Sequence, residues 1–279
     1  MAQGLQRKLE AADRGASVTV LPTLYAGHAE DLAYEWAVKS RRPLIISSSG
    51  DGGYHEVVNG LMRAKKEKGA TATAGLLPAG NANDHFHGLK EPDLFEVIRK
   101  GNQTAIDLLE ISYVADGEQR TRYAHSYIGL GITSNAGHEI NKRKTNFLLE
   151  VMIVLRVVLF MKHVTIIVNG DKRRFDSLIF SNVPRMSKIF TISDNSSLHD
   201  GKFEVTGYRR RNKFQLIAAL ATATFRGLET TEQTTHYNFK TTRQTTMQLD
   251  GEIVMVDSDS DVTIAIAPGA LQCAVNLEA

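Results

Sequence analysis

The stretch Ser47-Ser-Ser-Gly-Asp-Gly-Gly-Tyr-His-Glu-Val-Val-Asn-Gly60 decides how this chain folds. Ahead of it, Pro43-Leu44-Ile45-Ile46 is a short apolar run that predicts a buried strand. Behind its glycines, Tyr54 to Lys66 predicts a helix. Strand, glycine-rich turn and helix in succession are how α/β folds hold phosphate. Glycine lets backbone approach the anion, and N–H groups at the helix start point at it. Asp51 lies within the turn. A carboxylate there repels phosphate unless a metal or a transferable proton is involved, so the turn points to phosphoryl chemistry more than to nucleotide storage.

Working outward, the first hundred residues alternate helix and strand signals. Gln3 to Arg14 and His28 to Ser40 predict helices, and Ser17 to Leu21, with alternating valines, predicts a strand. Thr73 to Pro78 predicts a second apolar strand that runs into a small-residue loop, Gly80-Asn-Ala-Asn-Asp84. Short helices follow over 86–100, broken near Pro92. This order predicts a doubly wound α/β domain whose ligands sit beyond the carboxyl ends of the strands, where both loops lie. After Gly101 strands dominate. They are expected over Ile106–Val114, Arg122–Ile132, Val164–Val168, Arg174–Phe180, Lys202–Tyr208, Tyr237–Leu249 and Asp261–Ala267, with a hairpin turn at Asn169-Gly170. Helices are expected over Asn135–His163 and Asn212–Arg226. The reading is two domains. Residues 1–102 form the α/β part, and 103–279 form a mostly antiparallel β part whose C-terminal tail can pack back on the first.

At 279 residues the chain can bury two cores. A formal net charge of +2 gives no global argument for nucleic-acid binding. The lone Cys273 excludes an internal disulfide and a multi-cysteine zinc site, and fits a reducing compartment. The N-terminus MAQGLQRKLEAADRG has no apolar signal core, so a cytoplasmic protein is expected. Phe147 to Met161 is the most apolar long segment, but it contains Glu150 and Arg156 and falls short of the ~20 residues a membrane span needs. With Asn141-Lys-Arg-Lys144 ahead of it, it reads as a core helix or as a patch that docks on anionic lipid, the core helix being favoured. Arg209-Arg-Arg211 reads as a charged strand end. Asp257-Ser-Asp-Ser-Asp261 lacks the glycine and closing glutamate of a calcium loop and reads as a solvated turn. His28, His55, His85 and His87 have no metal spacing.

Five ordered segments resemble the diacylglycerol and sphingosine lipid-kinase catalytic family, a relative of the NAD kinases. Ser49-Gly-Asp-Gly-Gly53 followed by Glu56-Val-Val-Asn-Gly60 is similar to its Gly-Gly-Asp-Gly-Thr and Glu-Val-x-Asn-Gly signature. Pro78-Ala-Gly-Asn-Ala-Asn-Asp-His-Phe86 resembles its Pro-x-Gly-Thr-x-Asn-Asp-Phe loop. Thr23 with Gly27-His-Ala29 resembles the segment lining its nucleotide pocket. Ser197-Leu-His-Asp-Gly-Lys-Phe203 resembles its Asp-Asp-Gly-x-Leu metal loop, and Leu249-Asp-Gly-Glu252 its Asp-Gly-Glu element.

The resemblance implies an α/β nucleotide domain, a β-sandwich domain and an active site in the cleft between them. It implies ATP contacts from Thr23, from Gly50, Asp51, Gly52, Gly53, Tyr54, His55 and Glu56, and from Gly80, Asn81, Asn83 and Asp84. Glu252 becomes the general base that takes the lipid hydroxyl proton. Taken as residues, Asp250 engages water or metal, or Asp250-Gly251 is an ordinary hairpin turn; Asp51 binds the catalytic Mg2+, serves as an alternative base, or is a turn-forming aspartate. Ser197 and Lys202 through carbonyls, and Asp200 through its carboxylate, hold a structural Mg2+. The implied substrates are ATP and a lipid at a membrane surface; no nucleic acid is expected, and a homodimer is allowed.

The chain departs from the family's pattern in four places. Gly53 and Asn81 replace threonines, and His199 replaces an aspartate. The family's opening strand with its Asn-Pro-x-Ser-Gly loop has no counterpart ahead of the first helix. These departures keep two other readings open: a non-catalytic nucleotide- or membrane-binding module, and an NAD kinase-like enzyme acting on a polar substrate.

Overall fold

The computed structural model describes residues 1–13, 17–131, 163–186, 190–191, 196–209 and 231–277. The helices expected over 135–163 and 212–226 fall outside this set, save for His163. So do the apolar segment 147–161, the basic run 141–144 and Arg210-Arg211. The chain divides into two compact units, Met1–Asp107 with Pro268–Ala279, and Leu108–Ala267.

Unit 1 is built on parallel strands. β1 (Leu44–Ser49) lies beside β2 (Thr73–Pro78), with Leu44 opposite Thr73 and Ser49 opposite Pro78. On the other side of β2 the last residues of the C-terminal strand pair parallel to it, Gln272 opposite Thr73 and Cys273 opposite Ala74. Five helices accompany them: α1 (Ala2–Ala12), α2 (His28–Lys39), α3 (Asp51–Lys68), α4 (Asp84–Gly88) and α5 (Leu94–Lys100).

α3 is the spine of the unit. Tyr54, Val57, Val58, Leu61, Met62 and Ala64 bury its inner face. Gly69, with φ of 63°, ends it, and its amide returns to the Lys65 carbonyl at 3.0 Å. Lys65, Lys66 and Lys68 sit in the last turn, where they offset the negative end of the helix dipole. α2 crosses close to α3. At Gly60 an added Cβ would collide with the Glu30 carbonyl oxygen, so only glycine permits this approach. Arg63 fastens the crossing by pairing with Glu30 at 3.2 Å and Asp31 at 3.1 Å.

The strand expected at Ser17–Leu21 does not form. The segment has no sheet partner among the described residues, and Val20 and Leu21 are exposed. Alternating valines give the right period, but a strand also needs a neighbour to receive its backbone hydrogen bonds.

Unit 2 is a unit of strands among its described residues. These are β3 (Thr104–Ala115), β4 (Glu118–Ala124), β5 (Tyr127–Gly131), β6 (Val164–Val168), β7 (Asp171–Ser181), the short β8 (Arg185–Met186) and β9 (Phe190–Thr191), β10 (Phe203–Arg209), β11 (Thr231–Thr234), β12 (His236–Thr241), β13 (Thr245–Leu249), β14 (Glu252–Val256) and β15 (Asp261–Cys273). They are antiparallel in the hairpins β3–β4, β6–β7 and β13–β14 and where β7 meets β5 and β10. The division between units falls inside β3 and inside β15.

Three hairpins turn on two residues, each an Asx-Gly pair with positive φ at both positions. Asp116-Gly117 joins β3 to β4, Asn169-Gly170 joins β6 to β7, and Asp250-Gly251 joins β13 to β14. Left-handed turns of this kind match the twist of the strands they connect. Among the described residues a core runs through the unit, with Phe180, Phe203 and Phe239 among its aromatic members and Ile128, Leu130, Ile166, Leu249 and Ile264 fully enclosed.

Candidate functional site

At the carboxyl ends of β1 and β2 two loops are pressed together. Gly50 caps α3, which starts at Asp51. The glycine-rich turn expected before Tyr54 is therefore the first helical turn, closed by the Tyr54 amide donating to the Gly50 carbonyl at 3.1 Å. No side chain caps this end, which leaves first-turn amides for a ligand.

Across from Gly50 stands Gly80, at the end of the β2 side. A Cβ added to Gly50 would lie 2.9 Å from the Gly80 Cα, and one added to Gly80 would strike the Gly50 Cα. Backbone meets backbone, so both positions require glycine. The second loop is held shut by Asn83, whose Oδ1 accepts from the Gly80 amide at 2.9 Å and whose Nδ2 donates to the Gly80 carbonyl at 3.1 Å. Asn83 itself has φ of 53° and caps α4. Asn81 is exposed on the loop.

Asp51 joins the two loops. Its carboxylate accepts the backbone amides of Asp84 and His85, each at 3.1 Å. The repulsion that a carboxylate would offer to phosphate is thus partly met by amides at the start of α4. Asp84 is buried behind it.

Three residues assigned to ATP by resemblance have other surroundings. Tyr54 is fully buried, its hydroxyl 3.4 Å from the Cys273 sulfur and its ring 5.1 Å from that of His85. His55 is buried and faces Asn59, whose Nδ2 lies 3.2 Å from its Nε2. Neither side chain is open to a nucleotide. Glu56 accepts the amides of Gly27 at 2.8 Å and Ala29 at 3.1 Å. It caps α2 from outside, a favourable place for negative charge at a helix start. Tyr54 lies against Cys273 and His85, His55 against Asn59 of its own helix, and Glu56 against the amides at the start of α2, so each of these side chains is held by the protein itself. Thr23 is exposed in the segment before α2, next to Leu24, whose amide donates to His28 Nδ1 at 3.0 Å.

In unit 2 the turn Asp250-Gly251 presents Glu252 at the start of β14, exposed. Asp250 behaves differently from its expected role with water or metal. It is fully buried, and its carboxylate accepts the amides of His125 at 2.8 Å, Ser126 at 2.8 Å and Tyr127 at 3.1 Å. His125 is also fully buried, with Nε2 3.5 Å from Asp250 and Nδ1 2.8 Å from the Ser126 hydroxyl. Asp250 therefore fixes the turn that carries Glu252. His125 and Ser126 escaped the sequence reading because no local signal marks them; only the distant acid gives them a role.

The expected metal loop is compact. Leu198 is buried and anchors it, Gly201 turns it with φ of 72°, and the Asp200 carboxylate accepts the Lys202 amide at 3.1 Å. The Ser197 hydroxyl lies 3.3 Å from His199 Nδ1. Nearby Glu204 is buried, and burial pushes its carboxyl pKa up, while a hydrogen bond from Gln233 pulls it back. Among the described residues no group of three His, Cys, Asp or Glu side chains could hold a metal. Mg2+ does not require one, because it binds through one or two carboxylates plus substrate phosphates and keeps several waters. Asp51 and Asp200 each suit such a partial donor set.

Comparison with known proteins gives a consistent result. Residues 2–111 match the diacylglycerol kinase catalytic domain. The chain is 32% identical over 120 residues to sphingoid long-chain bases kinase 1 of Arabidopsis thaliana, covering 41% of this chain and 16% of that protein. It is 26% identical over 241 residues to a diacylglycerol kinase of Bacillus subtilis (strain 168), covering 84% of this chain and 75% of the relative. The fold resembles the crystal structure of a diacylglycerol kinase from Bacillus anthracis str. Sterne, with a TM-score of 0.71 at 18% identity, covering 99% of this chain and 92% of that one.

Proposed function

Since residues 2–111 match the diacylglycerol kinase catalytic domain, we propose that this protein is an ATP- and Mg2+-dependent lipid kinase. Its acceptor is a hydroxyl of diacylglycerol or a related amphiphile, met at a membrane surface. The observation that carries this reading is the contact of Gly50 with Gly80, with Asp51 bridging to the amides of Asp84 and His85. Two loops joined in this way form a rigid cradle beside uncapped helix amides, and phosphoryl transfer depends mainly on positioning and charge.

The acceptor oxygen attacks the γ-phosphorus, and the bond to the β,γ-bridging oxygen breaks with its electron pair leaving on ADP. The hydroxyl proton passes to Glu252, an exposed carboxylate held on a turn that Asp250 fixes from behind. Amides of Gly52 and Gly53 bind the phosphate chain. Asp51 would be the protein carboxylate that holds Mg2+, and the ion would supply neutralisation of the phosphate charge.

The test is transfer of ³²P from labelled ATP to mixed vesicles containing diacylglycerol, sphingosine or phosphatidylglycerol in separate arms. Labelled lipid in one arm is the expected result. ATP binding without transfer to any lipid would favour the non-catalytic reading, and labelling of free NAD would favour a polar substrate.

A further inference from the structure

Gly53 stands on the first turn of α3, where the signature this chain resembles has a threonine. The structure gives a reason for the change. A Cβ placed on Gly53 would lie 2.6 Å from both Cβ and Oγ of Ser49, the last residue of β1. Real Cβ atoms do not come so close, so the space above Gly53 is already filled by the serine side chain. Ser49 in turn stands where the signature has its first glycine. One hydroxyl-bearing residue has been lost from the helix and one has been gained on the strand, directly opposite.

The Ser49 hydroxyl is placed to act. It lies 2.6 Å from the hydroxyl of buried Ser47 and donates to the Gly50 carbonyl at 3.0 Å. A hydroxyl that accepts from Ser47 must send its own proton elsewhere. An anion at the start of α3 is a stronger, charge-assisted acceptor than the neutral Gly50 carbonyl. Resting on the kinase reading above, we propose that Ser49 is a ligand for the nucleotide's phosphates. It supplies from the strand the hydroxyl otherwise carried at residue 53, and Ser49 and Gly53 form an exchanged pair.

Ser49→Ala, Gly53→Thr and the double variant Ser49→Gly/Gly53→Thr test this against wild type. Binding of ATP with Mg2+ is read by calorimetry, and the melting temperature is read separately without nucleotide. Ser49→Ala keeps the Cβ and removes only the hydroxyl, so it should melt like wild type and bind ATP about tenfold more weakly, as expected for one hydrogen bond to a charged group. Gly53→Thr should melt lower, because Ser49 must be displaced. The double variant should recover the melting temperature and bind ATP to within about threefold of wild type.

Unchanged ATP affinity in Ser49→Ala overturns the ligand role while leaving the kinase reading intact. A double variant no better than Gly53→Thr alone overturns the exchange. Wild-type protein that binds no ATP overturns the kinase reading and the ligand role together, while the melting temperatures still decide whether the two positions are coupled.

Discussion

Two acidic residues one glycine apart differ completely in what they do. Asp250 is enclosed with three amides converging on it, whereas Glu252 is exposed. Asp250→Asn puts a donor where an acceptor is needed and removes the charge that three N–H groups share. It should cost about 3 kcal/mol or more in urea unfolding, as for other broken buried charge networks. Glu252→Gln should leave the urea midpoint and ATP affinity unchanged and abolish lipid phosphorylation. A midpoint that falls as far for Glu252→Gln as for Asp250→Asn would make Glu252 a structural residue instead of the base.

At the scale of elements, the two loops of unit 1 depend on each other. Gly80→Ala drives a methyl into the Gly50 backbone and should weaken ATP binding by at least tenfold, roughly the effect of misplacing one well-made phosphate contact. Gly69→Ala, at the far end of α3 with open space around it, is the control. It strains a left-handed cap at a cost of about 1 kcal/mol, so it should lower the melting temperature slightly and leave ATP affinity unchanged.

The sequence made some of these elements legible and hid others for identifiable reasons. Thr73–Pro78 and Val164–Val168 form as expected, because apolar runs bounded by turn residues carry their own instructions. Asn169-Gly170 likewise turns a hairpin. Of residues 122–132, expected as one strand, the described 122–131 are divided between β4 and β5 at His125-Ser126. Nothing local predicts that break, since it is imposed by Asp250 taking the amides there. Similarly, 237–249 divides at Thr242–Gln244, where Thr242 and Thr245 hydroxyls donate to backbone carbonyls of Thr165 and Arg243. Asp116-Gly117 carries the same local turn signal, in the gap between two expected strands. Asp257, read as part of a solvated turn, accepts the amides of that very hairpin at 3.2 and 2.8 Å. Motif spacing located the acids; only the fold shows which of them face inward.

Over the molecule as a whole, Cys273 reports on integrity. It is buried, and burial pushes its thiol up to about 12, against an ordinary value of 9.0. The unfolded chain therefore gives up this proton first as pH rises. The contribution of this thiol to stability is fully present below pH 9.0 and is lost between there and about 12, at a slope of up to roughly 1.4 kcal/mol per pH unit. Cys273→Ala should flatten that part of the curve relative to wild type. Ellman's reagent at pH 8 should label the native protein no faster than it unfolds; rapid labelling would place the thiol at the surface.

The interruption of unit 1 by unit 2 also bears on how the protein is made. Ala274 donates to the Ala74 carbonyl at 2.8 Å, and Thr104 reaches the Val275 carbonyl at 3.1 Å. A ribosome that has translated the first 107 residues has made most of unit 1, yet β2 has only β1 beside it and lacks its partner on the other side. Throughout synthesis of the intervening 108–267, that strand presents a bare edge able to pair with the wrong chain. A premature stop anywhere before residue 272 would thus damage the beginning of the protein as surely as its end.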